Sequence, residues 1–443
     1  MPRPALPLMF ACMALLAGLA SSQPPAGRLF GQTPAEFAAR RAALRESAAD
    51  ALVLVTSPPE TPDIDRWRYR TDNTFMYLTG VEVPNGALAL FPGSGRRDVL
   101  FLPARSRFAS IWADPVPGPD KETEQSTGLT TAELQTMWAA LAPAVKEAPR
   151  ILISGPTGDR ARFTRNGSLI EQIRKIDSDV EIAPVDRLVH ALRHVKSPGE
   201  VANLRAAIAA TGAAQRAAAR GIRAGETELA VEGLILAQFR RGGAVREGFP
   251  CIVGSGPNSL VLHHFAGERR MLPGETVVVD IGAEYNYYSA DITRTYPVGG
   301  RFTPRQRALY QLVLDCQRAC EAFIKPGQTT LGDLHRYAVG FLKSSRLRAK
   351  DSSGAEQTMD RFFVHGLSHW LGMDVHDVQD GSSLLKPGSV FTIEPGVYIA
   401  SEGIGIRIED DYLVTETGVE KLSRGIPSAV AEVEALMAPR TRS

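Results

Sequence analysis

The chain predicts an α/β (α+β) protein in two parts, a small N-terminal α/β domain followed by a larger mixed domain. Three observations carry this. At 443 residues the chain exceeds one ordinary domain, and with 44% hydrophobic residues it can fill more than one core. Its first half alternates helical and strand patterns, which predicts a layered α/β unit. Its last third is a series of short, β-branched or glycine-rich runs, each carrying an ionisable side chain.

The elements follow in order. Arg3 precedes an apolar stretch from Leu6 to Leu19, and Ala20-Ser21-Ser22 supplies small residues before Gln23. This predicts a signal peptide over residues 1–22 and an exported protein, periplasmic or secreted. The apolar run is too short for a stable membrane span, and an N-terminal anchor is the alternative; Cys12 lies in a poor context for lipid attachment. Next come a helix from Pro34 to Ser47 and buried strands at Ala51–Val55, Ala87–Phe91 and Val99–Leu102. The junction is placed at His194-Val195-Lys196, giving domains 23–194 and 195–443. Beyond it, Ser197-Pro198-Gly199-Glu200 has capping-box spacing with proline at the first helical position, and it opens an alanine-rich helix through Arg220. The glycine-rich pieces Phe91–Gly95 and Gly254-Ser255-Gly256 lack the full phosphate-loop spacing with lysine and read as turns.

Charge and cysteine content exclude several classes. The 50 basic and 49 acidic residues leave a net charge of +1, and no long basic run suggests nucleic-acid binding. Beyond the signal segment only Cys251, Cys316 and Cys320 remain. The last two sit four apart on a probable helix, but three cysteines make no disulfide framework.

Five potential metal ligands, none of them sulfur, stand out between residues 280 and 409: Asp280, Asp291, His369, Glu394 and Glu409. Val277-Val278-Val279-Asp280-Ile281 reads as a strand ending on a carboxylate, and the segments around Asp291, Glu394 and Glu409 repeat the pattern, so strands would carry four acids inward. An unpaired buried carboxylate costs roughly several kcal/mol, so cations or donors must be near. Pairing with Arg294 and Arg407 would satisfy two acids. Four acids and an imidazole point instead to hard or borderline divalent cations such as Mn²⁺. Bridging carboxylates suit two such ions roughly 3.5–4 Å apart around a shared hydroxide, the arrangement of metal-assisted hydrolysis.

His365-Gly366-Leu367-Ser368-His369-Trp370-Leu371-Gly372-Met373-Asp374-Val375-His376-Asp377, then Glu394-Pro395-Gly396 and Gly405 to Asp411, closely resemble the Xaa-Pro aminopeptidases (aminopeptidase P), pita-bread metallopeptidases related to prolidases and methionine aminopeptidases. The resemblance also takes in Phe37–Arg41 and Tyr69–Gly80. It implies a C-terminal pita-bread domain in which Asp280 chelates one metal, Asp291 and Glu409 bridge two divalent ions, Mn²⁺ by expectation, and His369 and Glu394 complete the second. It implies that His263 and His376 hold the substrate and the tetrahedral intermediate, with His264 the neighbouring alternative to His263. His365 and Arg407 would orient ligands, and Glu394 would shuttle a proton to the leaving nitrogen. His190, His194 and His335 have no such context and read as structural. The substrate implied is a peptide with an N-terminal Xaa-Pro, attacked only at its first bond, and a homo-oligomer is expected. A prolidase acting on Xaa-Pro dipeptides is the alternative, and a non-catalytic peptide-binding relative a further one. Asp377–Lys386 and Tyr398–Gly403 are shorter than the loops of some relatives, which bears on peptide length and assembly.

Overall fold

The computed structural model describes residues 29–60, 69–93, 97–105 and 116–438. The expected signal segment lies outside them. Helix Pro34–Ala48 opens on a capping box, with Thr33 accepting from the Glu36 amide and the Glu36 carboxylate accepting from Thr33 N. One sheet then gathers β1 (Leu52–Thr56), β2 (Ala87–Leu90), β3 (Asp98–Leu102), β4 (Thr130–Glu133), β5 (Arg150–Ile153) and β6 (Glu181–Pro184) in the order β4-β3-β2-β1-β5-β6. The β1–β2 and β2–β3 pairs are antiparallel and the outer pairs parallel, so the sheet is mixed. Every residue of β2 is buried, as expected of a central strand covered on both faces.

The second part begins with helix Pro198–Gly221, which carries the expected capping box between Ser197 and Glu200. This helix packs on a set of small antiparallel sheets. These are β7 (Arg246–Glu247) with β10 (Ala283–Tyr285) and β11 (Tyr288–Ser289), and β8 (Ile252–Ser255) with β9 (Thr276–Ile281) and β12 (Ile292–Pro297). After helices Pro304–Phe323 and Leu331–Ser344 come β13 (Arg348–Lys350) with β14 (Glu356–Thr358), β15 (Val390–Ile393) with β18 (Asp410–Val414) and β19 (Val419–Lys421), and β16 (Gly396–Ile399) with β17 (Ile404–Arg407). Gly254 and Ser255 belong to β8, which corrects the reading of that piece as a turn; only Gly256 there has a positive φ, +51°. Cys316 and Cys320 are buried free thiols on helix Pro304–Phe323.

The two parts share apolar packing. Leu44, Val53 and Val189 of the first meet Leu204, Tyr287 and Met373 of the second in one buried cluster. Among the described residues no helix is long and apolar enough to cross a membrane.

Candidate metal centre

Hairpin pairing explains how residues far apart in sequence converge. The β9–β12 register sets Asp280 opposite Thr293, and Asp291 precedes β12 by one residue. The β15–β18 register sets Thr392 opposite Asp411, so Glu394, just past β15, lies near Glu409, just before β18. His369 enters from a loop pinned at both ends of a two-way contact. Its amide donates to Thr392 Oγ1 at 3.2 Å, and Thr392 N donates to the His369 carbonyl at 3.0 Å. Of the four acids only Asp280 lies within a strand; the others sit at strand ends, where the backbone leaves the ladder and side chains from different hairpins can meet.

Asp280, Asp291, His369, Glu394, Glu409, His263, His365, His376 and Arg407 all line one cavity of about 440 Å³. His369 Nε2 lies 3.3 Å from Asp291 Oδ2, 3.5 Å from Glu394 Oε1 and 3.8 Å from Glu409 Oε1. Arg407 spans the floor: Nη2 donates to Asp280 Oδ2 at 2.7 Å and Nη1 to the Tyr398 hydroxyl at 2.7 Å. His365 Nε2 is 2.9 Å from the same hydroxyl, and Nδ1 lies 3.5 Å from Glu394 Oε2. A Cβ at Gly396 would come within 2.8 Å of the Tyr398 hydroxyl and 3.1 Å of His365 Nε2, so glycine permits this close approach.

Electrostatics identify what the centre requires. Burial pushes the Asp291 carboxyl well above its usual range, and the charges of Asp280, Asp411 and Glu394 push it the same way. Burial, then Asp291, Glu394 and Asp280, do the same to Glu409. Burial lifts Glu394 to about 7 against the opposing pull of His369 and Arg407. Asp280 Oδ1, Asp291 Oδ1 and Glu409 Oε1 are buried without a hydrogen-bond partner among the described residues. Oxygens in that state require positive charge. Asp291, His369 and Glu409 each offer an atom within 4.8 Å of the others, a donor set that fits a divalent cation. Arginine pairing does not meet the need: Arg294 turns away to Asp410 at 2.8 Å, and Arg407 serves Asp280 alone among the acids.

The imidazoles divide by role. Burial and the charge of Arg407 lower His365 to about 4, so it is neutral at working pH. Burial, then His369 and His263, lower His376, whose ring meets His369 edge-on at 4.3 Å. His263 faces the cavity, whereas His264 Nε2 bonds Glu228 Oε2 at 2.7 Å outside it. His194 is buried edge-on against Trp370 at 4.5 Å, and His190 and His335 do not line the cavity.

Sequence reading missed Tyr398 and Thr293. Thr293 donates to Glu409 Oε2 at 2.7 Å and accepts from Arg407 Nε at 3.3 Å. The alternation Asp291, Thr293, Thr295 along one strand face is the signal that would have found it. Phe249, Pro250, Ile252, Leu262, Phe265 and Val375 supply the apolar wall, which no local pattern announces.

Residues 202–416 match Metallopeptidase family M24, and residues 37–153 match the aminopeptidase P N-terminal domain. The chain is 36% identical over 433 residues to the Xaa-Pro aminopeptidase of Escherichia coli (strain K12), covering 91% of this chain and 97% of that one. It is 31% identical to the mitochondrial intermediate cleaving peptidase 55 of Arabidopsis thaliana, covering 91% and 82%. Among solved structures, Pseudomonas aeruginosa aminopeptidase PepP superposes with a TM-score of 0.82 at 32% identity, covering 91% of this chain and 98% of that chain. Zinc-substituted Escherichia coli aminopeptidase P in complex with product gives 0.81 at 32%, with the same coverage.

Proposed function

The chain belongs to metallopeptidase family M24, and from that premise we propose that it is a metal-dependent exopeptidase releasing the first residue from peptides with proline in second position. One observation carries this: four acids and a histidine converge on a single cavity with three carboxylate oxygens buried and unpartnered. Asp280, Asp291, His369, Glu394 and Glu409 would hold two divalent cations. Mn²⁺ is the reading that the oxygen-rich donor set supports. When bound, the cations supply charge that polarises the scissile carbonyl and allows water to act as a nucleophile at neutral pH.

The residues of the chain do the rest. Glu394, which lines the cavity beside His365 and His369, is placed to take a proton from water and pass it to the leaving nitrogen. His376 and His263 face the cavity and can donate to the oxyanion that develops on the carbonyl. His365 and Arg407 share the Tyr398 hydroxyl, which fixes the imidazole beside Glu394 and the guanidinium beside Asp280. The leaving group, a tertiary amide nitrogen, has no N–H to be recognised, so the ring itself must be recognised. Phe249, Ile252, Leu262 and Phe265 provide an apolar wall for that purpose.

The test is product analysis by mass spectrometry of chelator-stripped and Mn²⁺-reconstituted protein with Xaa-Pro-Yaa, Xaa-Pro and Xaa-Ala-Yaa peptides side by side. Metal-dependent release of the first residue from Xaa-Pro-Yaa alone is expected. Cleavage confined to Xaa-Pro would make the chain a prolidase, and cleavage of Xaa-Ala-Yaa would remove the proline requirement. For the dinuclear arrangement, Asp291→Ala should abolish turnover and lower metal content in a folded protein; near-normal activity would overturn it. Export under residues 1–22 and a homo-oligomeric assembly are further parts of the reading, resting on the N-terminal pattern and on the family.

A further inference from the structure

We propose that His264, through the buried carboxylate of Glu228, is a positioning residue that holds its neighbour His263 toward the cavity; the role assigned to His263 rests on the peptidase reading above.

Glu228 opens helix Glu228–Arg241 and is fully buried, and all five of its donors come from the segment 255–267. Oε1 accepts from Ser255 N at 2.8 Å, Ser255 Oγ at 2.7 Å and Asn258 Nδ2 at 2.9 Å. Oε2 accepts from His264 Nε2 at 2.7 Å and Gly267 N at 3.2 Å. Burial pushes this carboxyl up, but the hydrogen bonds from His264 and Ser255 outweigh it and hold it below the usual range. An ionised carboxylate only accepts, so His264 Nε2 carries the hydrogen.

The segment leaves β8 and brings Leu262, His263 and Phe265 to the cavity. Part of it is packed, with Ser255 and Ser259 buried and Phe265 bridged to Ile252, but around His263 the chain is open, Val261 being 54% and Phe265 70% exposed. It is tied instead on either side of His263. The Leu262 carbonyl accepts from Arg407 Nη2 at 3.3 Å, and the His264 ring is fixed by Glu228. His263 is exposed, with no hydrogen bond of its own among the described residues, so these two neighbours set where its ring points.

Two substitutions separate the bond from the bulk. His264→Phe keeps an aromatic ring and removes the donor, whereas His264→Gln keeps an N–H. In the metal-loaded full chain with an Xaa-Pro-Yaa peptide, His264→Phe should lower kcat/KM by about 10–100-fold, the scale on which misplacing a catalytic group by ~1 Å is felt. His264→Gln should restore most of it. Bound metal should stay unchanged, and His263→Ala/His264→Phe should be no slower than His263→Ala alone. Hydrogen exchange over residues 258–267 should quicken in His264→Phe and not in His264→Gln. Wild-type turnover and exchange in His264→Phe, a glutamine variant as impaired as the phenylalanine one, or additive losses in the double variant would each overturn the proposal. If the wild-type protein cleaves no peptide, the peptidase reading fails instead, and exchange then decides the loop clamp independently.

Discussion

Removing the metal should cost the protein more stability as pH rises from 5 to 8. In the metal-free site Glu394 titrates at about 7 rather than its ordinary 4.5, chiefly because it is buried, and Asp291 and Glu409 are raised as well. Between those two values the folded chain keeps a proton that the unfolded chain releases. At Glu394 the folded state therefore binds more protons, and its contribution to the stability of the metal-free chain decreases with pH across that window. At about 1.36 kcal/mol per pH unit, Glu394 alone accounts for roughly 3 kcal/mol. His365, lowered from 6.5 to about 4, works the other way between pH 5 and 6.5, because the unfolded chain binds a proton there that the folded chain does not. Neutral with or without metal, it cancels in the difference between the two states. Cations would displace the same proton, so metal affinity should rise with pH through that window. The assay is calorimetric melting at pH 5, 6, 7 and 8 with chelator and with excess Mn²⁺, read as the difference between the two, which cancels titrations remote from the site. The gap should widen with pH. A constant gap, or one that narrows, would refute the placement of raised carboxyls in the metal centre.

Two further outcomes follow from the geometry. Arg407→Lys keeps one charge but loses the fork that joins Asp280, the Tyr398 hydroxyl and the Leu262 carbonyl; metal affinity or kcat should fall by about 10–100-fold, measured by titration and steady-state kinetics. Lys196→Met leaves Asp377 buried with Arg193 as its remaining cation and should cost about 3–5 kcal/mol in urea unfolding, with no large effect if the pair is dispensable.

Much of the centre was legible because carboxylates in β-branched runs are unusual, and Asp280, Asp291, Glu394 and Glu409 stand out against their apolar neighbours. Helix starts were legible for the same local reason, since capping boxes at Thr33 and Ser197 are written within four residues. What escaped is non-local. The strand order β4-β3-β2-β1-β5-β6 follows from pairings that periodicity does not encode. Arg294 and Arg407 look alike in sequence, yet β-register sends one to Asp410 and the other to Asp280. Tyr398 is spelled like any strand aromatic, and only the hairpin β16–β17, which sets Gly396 opposite Arg407, brings its hydroxyl to the guanidinium.

The first part of the chain bears on the centre through the junction. Arg193 Nη2 donates to Asp374 Oδ2 at 2.7 Å and to Asp377 Oδ1 at 2.5 Å, and Lys196 Nζ donates to Asp377 Oδ2 at 2.9 Å. His194 lies edge-on to Trp370. Trp370 directly follows His369 and Asp377 directly follows His376, so the junction grips the residue after each of two cavity histidines. Apolar side chains of similar volume would fill that space at comparable or better stability, since desolvating three charges offsets most of their attraction. What the ions add is direction: Asp377 can satisfy both cations in one position only, and the backbone carrying His376 is fixed with it. On this argument Lys196→Met should lower turnover more than a scaffold defect of equal size within the preceding helix Asp186–His194, because it frees a cavity histidine as well as destabilising the fold.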